Sequence, residues 1–188
     1  ASQDLNAILA GLSPRPYIYQ EVIDQNNPNE PIKSFEYTPN GDVTEFKYSV
    51  ALGNAFNCGG GLASLQTLGS GMLPSALAVV FTDNHDNQRG HGAGGACVVD
   101  YKDGAVYNLA NIFALAHPLG YPQVMSSYAW TDENAGPPTV NGTSGSAGAT
   151  LNVYAAGQVA GEIPANCVGT KWICEHRRTA IANLVEFR

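Results

Sequence analysis

An apolar run that turns directly into a dense polar cluster constrains the fold of this chain more than any other feature. Ala78, Val79, Val80 and Phe81 are followed at residues 83–91 by carboxylates, amides, an arginine and two histidines, and then by glycines. A strand buried on both faces of a parallel sheet reads as a continuous apolar run, and functional side chains gather beyond its carboxyl end. The pattern therefore predicts a buried parallel strand that ends in a chemical site.

The length of the chain limits the size of its fold, and its net charge limits the kinds of partner it binds. The 188 residues are enough for one ordinary domain, but a complete (β/α)8 barrel needs roughly 250 residues. The formal net charge is −7, whereas nucleic acids and anionic membranes select basic faces. No apolar run approaches the length of a transmembrane helix. We therefore expect no nucleic-acid partner and no membrane partner, and a ligand that is neutral or cationic.

The cysteines indicate a secreted protein. Their number, four, is even and allows three pairings, and their spacings do not match a zinc site. Disulfide bonds are the preferred interpretation, and free buried thiols are the alternative for Cys58 and Cys97. Asn141 opens an Asn-Gly-Thr acceptor for N-glycosylation, which is consistent with export.

The order of predicted elements indicates a parallel sheet. Apolar periodicity predicts strands at residues 16–23, 43–48, 77–82 and 121–127, and helices at residues 4–12, 50–68, 105–117 and 172–187. Residues 130–166 are rich in Gly, Ser, Thr and Pro and predict a long surface loop. Strands that alternate with helices form parallel sheets, so the chain is either a small open sheet or half of a barrel.

Two carboxylates are the main candidates for chemistry. Glu21 lies toward the end of the first predicted strand, and Asp86 lies in the polar cluster. Carboxylates at the ends of nearby strands can flank one bond, where one protonates the leaving oxygen and the other stabilises positive charge. Glu21 could equally be a buried ion-pair partner. A metal site of Asp83, His85, Asp86 and His91 is a rival, but its spacing fits no standard ligand pattern.

Several segments resemble the alpha-amylases of animals. TDNHDNQRGHGAGG at residues 82–95 resembles the segment around their third catalytic carboxylate, and RPYIYQEVID at residues 15–24 resembles the segment of their acid/base glutamate. The similarity continues in EPIKS at 30–34, VTEFKY at 43–48, AHPLGYPQVMSSY at 116–128 and WICEHRRTAIANLVEFR at 172–188. It covers most of the chain in order.

The resemblance implies a secreted enzyme that hydrolyses internal α-1,4 links of starch, glycogen and maltooligosaccharides with retention of configuration, and that is a monomer when full length. Glu21 becomes the general acid/base, which requires a partly desolvated site. Asp86 becomes the carboxylate that orients sugar hydroxyls and stabilises the transition state. The remaining matches are residues that contact the sugars: His85 and His91 around the cleavage point, and Ile23 and Glu30 on the leaving-group side.

The chain also departs from the family pattern. The nucleophilic aspartate of the family lies in a GFRxDAxKH motif before the glutamate strand, and nothing similar precedes Tyr17. We therefore expect residues 1–188 to be a partial catalytic domain, namely strands five to eight of a (β/α)8 TIM barrel. The upstream half-barrel, the C-terminal β-domain and the ligands of the family's calcium are expected to lie outside it. Such a fragment is inactive alone. The alternative is a non-catalytic or truncated protein that binds glucan.

The resemblance also bears on chloride and on the disulfides. Asn84 matches the asparagine of the family's chloride site, but Gln123 stands where chloride-dependent members carry arginine. Because glutamine carries no positive charge, we expect chloride binding to be weakened or lost. The disulfide pairs implied by the resemblance are Cys167 with Cys174 and Cys58 with Cys97.

Overall fold

A computed structural model of the chain describes residues 2–140, 148–153, 167 and 171–188. Its single described sheet has four parallel strands that lie side by side in chain order: β1 (Tyr19–Gln20), β2 (Asp42–Thr44), β3 (Ala78–Phe81) and β4 (Tyr121–Gln123). Gln20 lies opposite Val43, and Phe81 lies opposite Gln123. The parallel α/β architecture predicted from the alternation of elements is confirmed, although each strand is shorter than its apolar run.

The described residues form four α-helices: α1 (Ser2–Ala10), α2 (Phe46–Phe56), α3 (Ala105–Ala116) and α4 (Thr179–Phe187). Val43, Leu52 and Val80 are fully buried where β2 and β3 pack against α2. A second cluster holds Tyr107 of α3 against Ile181 of α4. In the described part of the chain, no helix combines the length and the apolar character that crossing a membrane requires.

The prediction of a strand through residue 48 is wrong. Helix α2 already begins at Phe46, because the Glu45 carboxylate caps it by accepting a hydrogen bond from the Lys47 amide at 3.1 Å. The helix ends at Phe56 rather than at residue 68. The amides of Asn57 and Cys58 both bond to the Gly53 carbonyl, at 2.9 and 3.2 Å, which closes the last turn.

The predicted final helix also begins later than expected. Trp172 pairs with Tyr128 in an antiparallel bridge, and Cys174 has a left-handed backbone with φ of 57° that interrupts any continuous helix. Only the segment from Thr179 is α-helical. Ile181 is fully buried, Ile173 and Leu184 are half-buried, and Ala180 and Val185 are exposed.

Two disulfides tie the described loops to this frame. Cys58 is bonded to Cys97 with their Cα atoms 5.5 Å apart, and Cys167 is bonded to Cys174 with Cα atoms 5.8 Å apart. These are the pairs that the family resemblance implies, and disulfides are typical of extracellular proteins. The glycosylation acceptor at Asn141 and much of the predicted surface loop lie outside the described residues.

Candidate active site

The structure brings Glu21, His85 and Asp86 together at the carboxyl end of the sheet. Glu21 directly follows β1, and the other two lie in the loop after β3. One oxygen of each carboxylate and one imidazole nitrogen all lie within 4.8 Å of one another. His85 Nε2 is 3.5 Å from Asp86 Oδ1. Parallel strands deliver their carboxyl ends to one edge, so residues more than sixty positions apart meet there.

Asn84 links the two carboxylates. Its Nδ2 donates a hydrogen bond to Glu21 Oε1 at 2.9 Å, and its Oδ1 accepts from the amides of Asp86 and Asn87 at 3.1 and 2.8 Å. One side chain therefore orients the acid and also fixes the turn that carries Asp86. The sequence predicts Asn84 only as part of a chloride site, and this role was not predicted. The signal was present, because asparagine commonly bonds to backbone amides two or three residues further on.

Beneath Asn84, a buried chain of hydrogen bonds ties the loop to helix α2. Asn87 Oδ1 accepts from the Asn84 amide at 2.7 Å, and Asn87 Nδ2 donates to Ser49 Oγ at 2.9 Å. Ser49 Oγ in turn donates to the Thr82 carbonyl at 2.7 Å. Neither Asn87 nor Ser49 was a candidate from sequence, because only the fold places α2 below the loop. The site therefore has a rigid base.

Glu21 itself is held by its neighbours but is not desolvated. The Val22 amide donates to Thr44 Oγ1 at 2.9 Å, which fastens the segment after β1 to β2. The Glu21 side chain is nevertheless exposed, and the expectation of a partly desolvated acid is not met. The physical reason is its place at the edge of the sheet, since β1 pairs with β2 on one side and with no other strand in the described part of the chain.

Ile23 and Glu30, the predicted leaving-group contacts, share a cavity of about 390 Å³ with Glu21. Asp24 holds the loop between them by accepting hydrogen bonds from the amides of Ser34 and Asn26, at 3.0 and 2.9 Å. Burial acts to raise the pKa of Asp24, but these hydrogen bonds prevail and lower it. The structure thus places both predicted residues beside the acid.

Asn84 and Gln123, the predicted remnant of a chloride site, line one cavity of about 230 Å³ together with Glu21. No lysine or arginine is among the described residues that line this cavity. An anion site built on charge needs such a cation. The residues present therefore do not fit a bound chloride.

His91 lies apart from the other predicted sugar contacts. Its side chain is exposed, and its amide donates to the Asp86 carbonyl at 3.1 Å. Gly90, with φ of 83°, turns the chain between the two residues in a conformation that favours glycine. The structure therefore joins His91 to the Asp86 loop through the backbone, and its role toward a ligand stays a prediction.

Arg89 anchors the Asp86 loop to the start of the following long loop. Its guanidinium lies 4.6 Å from the centroid of the Tyr128 ring and 5.4 Å from that of Trp130. Its Nη1 donates to the carbonyls of Glu133 and Ala135 at 3.3 and 2.8 Å. Stacking and hydrogen bonding of one guanidinium together fix the relative position of two loops. The sequence analysis did not single out this residue.

Calcium, which the family resemblance implies, does not fit the described residues. Calcium prefers six to eight oxygen ligands. Within the described ranges, a single group of acidic, histidine or cysteine side chains is close enough to hold an ion, and it contains the His85 imidazole with only two carboxylates, Glu21 and Asp86. That the calcium ligands lie outside this segment stays a prediction.

Comparison with known proteins finds relatives over nearly the whole chain, although no protein-family model matches it. Alpha-amylase 1B of Homo sapiens is 43% identical over 187 residues, which cover 93% of this chain and 34% of the relative. Pancreatic alpha-amylase of Homo sapiens is 44% identical over 187 residues with the same coverage. The chain therefore spans about a third of the length of the curated relatives it matches.

Solved structures agree with the sequence comparison. The wild-type alpha-amylase I of Eisenia fetida has a TM-score of 0.73 and 38% identity, covering 99% of this chain and 38% of that one. A glutamate-to-glutamine variant of that enzyme, in complex with maltohexaose, has the same TM-score of 0.73 and 37% identity, covering 100% of this chain and 39% of that one. The resemblance stated from the sequence motifs is thereby confirmed.

Proposed function

The chain belongs to the alpha-amylase family, and from this premise we propose that it forms strands five to eight of a (β/α)8 catalytic barrel. The whole enzyme hydrolyses internal α-1,4 bonds of starch and glycogen with retention of configuration. One observation carries the proposal: oxygens of Glu21 and Asp86 lie within 4.8 Å of each other at the carboxyl end of a parallel sheet. This is the edge at which barrel enzymes bind substrate.

The two carboxylates have different tasks in this reaction. Glu21 donates a proton to the leaving glycosidic oxygen, and its carboxylate later takes a proton from the attacking water. Asp86 accepts hydrogen bonds from sugar hydroxyls and stabilises the positive charge that develops on the ring. Asn84 keeps Glu21 oriented through the 2.9 Å hydrogen bond to Oε1. His85, His91, Ile23 and Glu30 complete the sugar contacts.

The two carboxylates account for only part of a retaining reaction. In this proposal Glu21 is the acid/base and Asp86 stabilises charge, so neither attacks the sugar carbon. Retention needs a further carboxylate that attacks the sugar carbon. We propose that sequence outside residues 1–188 supplies it, as well as the calcium ligands.

The free edges of the sheet support a larger barrel. Tyr17, Tyr19 and Tyr121 are exposed, and the Tyr17 ring lies 6.0 Å from that of Tyr19 and 5.9 Å from that of Tyr121. A largely apolar cavity of about 720 Å³ opens between β4 and α4. Parallel sheets are normally covered on both faces. Further strands and helices of the same enzyme would cover these surfaces.

Location and partners follow from the same proposal. Two disulfides suit a secreted enzyme. The net charge of −7 suits a neutral glucan rather than a polyanion. We propose that the full-length protein is a secreted monomer that acts on starch, glycogen and maltooligosaccharides.

The decisive experiment is Glu21→Gln in the full natural protein. We expect starch hydrolysis to fall by at least about 100-fold, because the amide cannot transfer the proton. Maltohexaose binding should persist, since the amide keeps the size of the side chain. Glu186→Gln, on the exposed end of α4, is the matched control. Full activity of the Glu21 variant would refute the assignment, and a wild-type protein that binds glucan without hydrolysing it would establish the non-catalytic alternative.

A further inference from the structure

We propose that Glu21, His85 and Asp86 form a zinc site that switches off the acid/base pair. The expectation that zinc blocks hydrolysis rests on the proposed function. The zinc site itself rests only on the positions of the donor atoms in the structure. An imidazole nitrogen and two carboxylate oxygens lie within 4.8 Å of one another. These are ligand types of catalytic zinc sites, in which three protein ligands leave a fourth position open.

The spacing of the donor atoms suits a tetrahedral ion. Zinc binds nitrogen and oxygen at about 2.0–2.2 Å, so two ligands of one tetrahedron stand about 3.3–3.6 Å apart. His85 Nε2 and Asp86 Oδ1 are already 3.5 Å apart. The 4.8 Å that bounds the group closes when the exposed Glu21 carboxylate rotates so that Oε2 turns toward the ion, while Oε1 keeps its hydrogen bond from Asn84.

The surroundings favour a cation and hold its ligands in place. The site carries two carboxylates, and the cavity beside Glu21 is lined by no lysine or arginine among the described residues. Asn84 donates to one oxygen of Glu21 and fixes the Asp86 amide, as outer partners of metal ligands do. The site is open to solvent, since the His85 side chain is 62% exposed and that of Asp86 is 39% exposed. An ion can therefore enter directly.

The donor set selects the kind of ion. Calcium and magnesium prefer all-oxygen sites with six or more ligands. Imidazole suits zinc and other late transition metals. Zinc bound here occupies the carboxylates that must meet the sugar. The metal therefore competes with glucan and blocks hydrolysis reversibly.

The test measures zinc binding directly. Zinc chloride is titrated calorimetrically into the full natural protein. The protein solution contains excess calcium chloride, which fills oxygen-rich sites. We expect one zinc to bind per protein molecule. The affinity for zinc should fall at least about 10-fold in His85→Asn and change little in the matched control His91→Asn. Added zinc should also inhibit the hydrolysis of maltohexaose competitively, because both ligands need the same carboxylates.

Two results would overturn the inference. Unchanged zinc affinity in both His85→Asn and Glu21→Gln would place the metal elsewhere, and an absence of zinc binding to the wild type would dismiss the site. Failure of the proposed function is a separate result. A protein that binds zinc through His85 but does not hydrolyse starch would keep the metal site and lose the amylase assignment, and the reverse outcome would lose only the metal site.

Discussion

Two aspartates of one short loop, Asp83 and Asp86, stand in opposite environments. Asp83 is 2% exposed. Burial, reinforced by the negative charges of Glu175 and Asp100, raises its pKa well above the ordinary value. The Asp86 side chain is 39% exposed and lies 3.5 Å from His85. The same residue type is thus a buried acid at one position and a solvent-facing carboxylate at the other.

The turn between them produces the difference. Asp83 lies two residues beyond the end of the buried strand β3, after the buried Thr82, and is itself within the protein interior. Asn84 then accepts hydrogen bonds from the amides of Asp86 and Asn87, which reverses the chain and lifts Asp86 toward solvent. Residue type alone therefore does not assign a role within such a motif, and the hydrogen bonds of the turn do.

The largest expected effect separates the two aspartates by activity. Asp86→Asn in the full natural protein should reduce starch hydrolysis by about 100- to 1000-fold, because it removes a charge that stabilises the transition state. Its free energy of unfolding should change by only about 0.5 kcal/mol, since the side chain is half exposed. Hydrolysis rates and urea unfolding check both parts. A loss of activity in Asp83→Asn as large as in Asp86→Asn would break the contrast.

A smaller loss is expected when the link between the carboxylates is cut. Asn84→Asp keeps the oxygen that accepts the two backbone amides but removes the donor to Glu21 Oε1. We expect kcat to fall about 10- to 100-fold with little loss of stability, because the acid is no longer oriented. Asn183→Asp, exposed on α4, is the control. Unaltered kcat would show that Glu21 needs no orientation by Asn84.

The third prediction concerns stability against pH. The unfolded chain releases the Asp83 proton above a pH of about 3.9, whereas the folded protein keeps it, so this residue costs stability increasingly as the pH rises toward its raised folded pKa. Asp83→Asn removes that cost. Its free energy of unfolding, relative to the wild type, should therefore increase as the pH rises above about 4 in urea unfolding.

Asp24 supplies the matched control with the opposite sign. Its folded pKa is lowered, so it contributes stability that is present above its unfolded pKa and is lost as the pH falls through the folded pKa. Asp24→Asn should therefore be less stable than the wild type at neutral pH, and the difference should shrink in acid. If the stability differences of the two variants from the wild type changed in the same direction with pH, the two assignments would be contradicted. These are that burial governs the Asp83 carboxyl and that hydrogen bonds govern the Asp24 carboxyl.

The smallest expected effect is that of chloride. The cavity that Asp83 shares with Asn84 and Gln123 offers no described lysine or arginine, so added chloride should change the rate of the dialysed wild-type enzyme by no more than about twofold. Gln123→Arg supplies the missing charge and should make the rate depend on chloride. Strong activation of the wild type would overturn this prediction.

Prediction of helices and strands from the sequence succeeded where the apolar period matches the pattern of buried residues. Strand β3 and helix α3 lie where their apolar patterns predicted them. It failed where a local hydrogen bond or backbone turn decides an element. The Glu45 cap starts α2 inside a segment that alternates like a strand, and the left-handed Cys174 delays the last helix. Neither feature produces an apolar period that a sequence pattern can reveal.

By itself, the sequence determined the parallel α/β class, the family resemblance and the pair of candidate carboxylates, Glu21 and Asp86. These follow from residue types, order and spacing, which are local properties of the chain. Only the tertiary structure decided that Asn84 joins the pair, that Ser49 supports the loop from below and that Glu21 is exposed. Such contacts join residues far apart in the chain, and their distances are set by how β1, β3 and α2 pack.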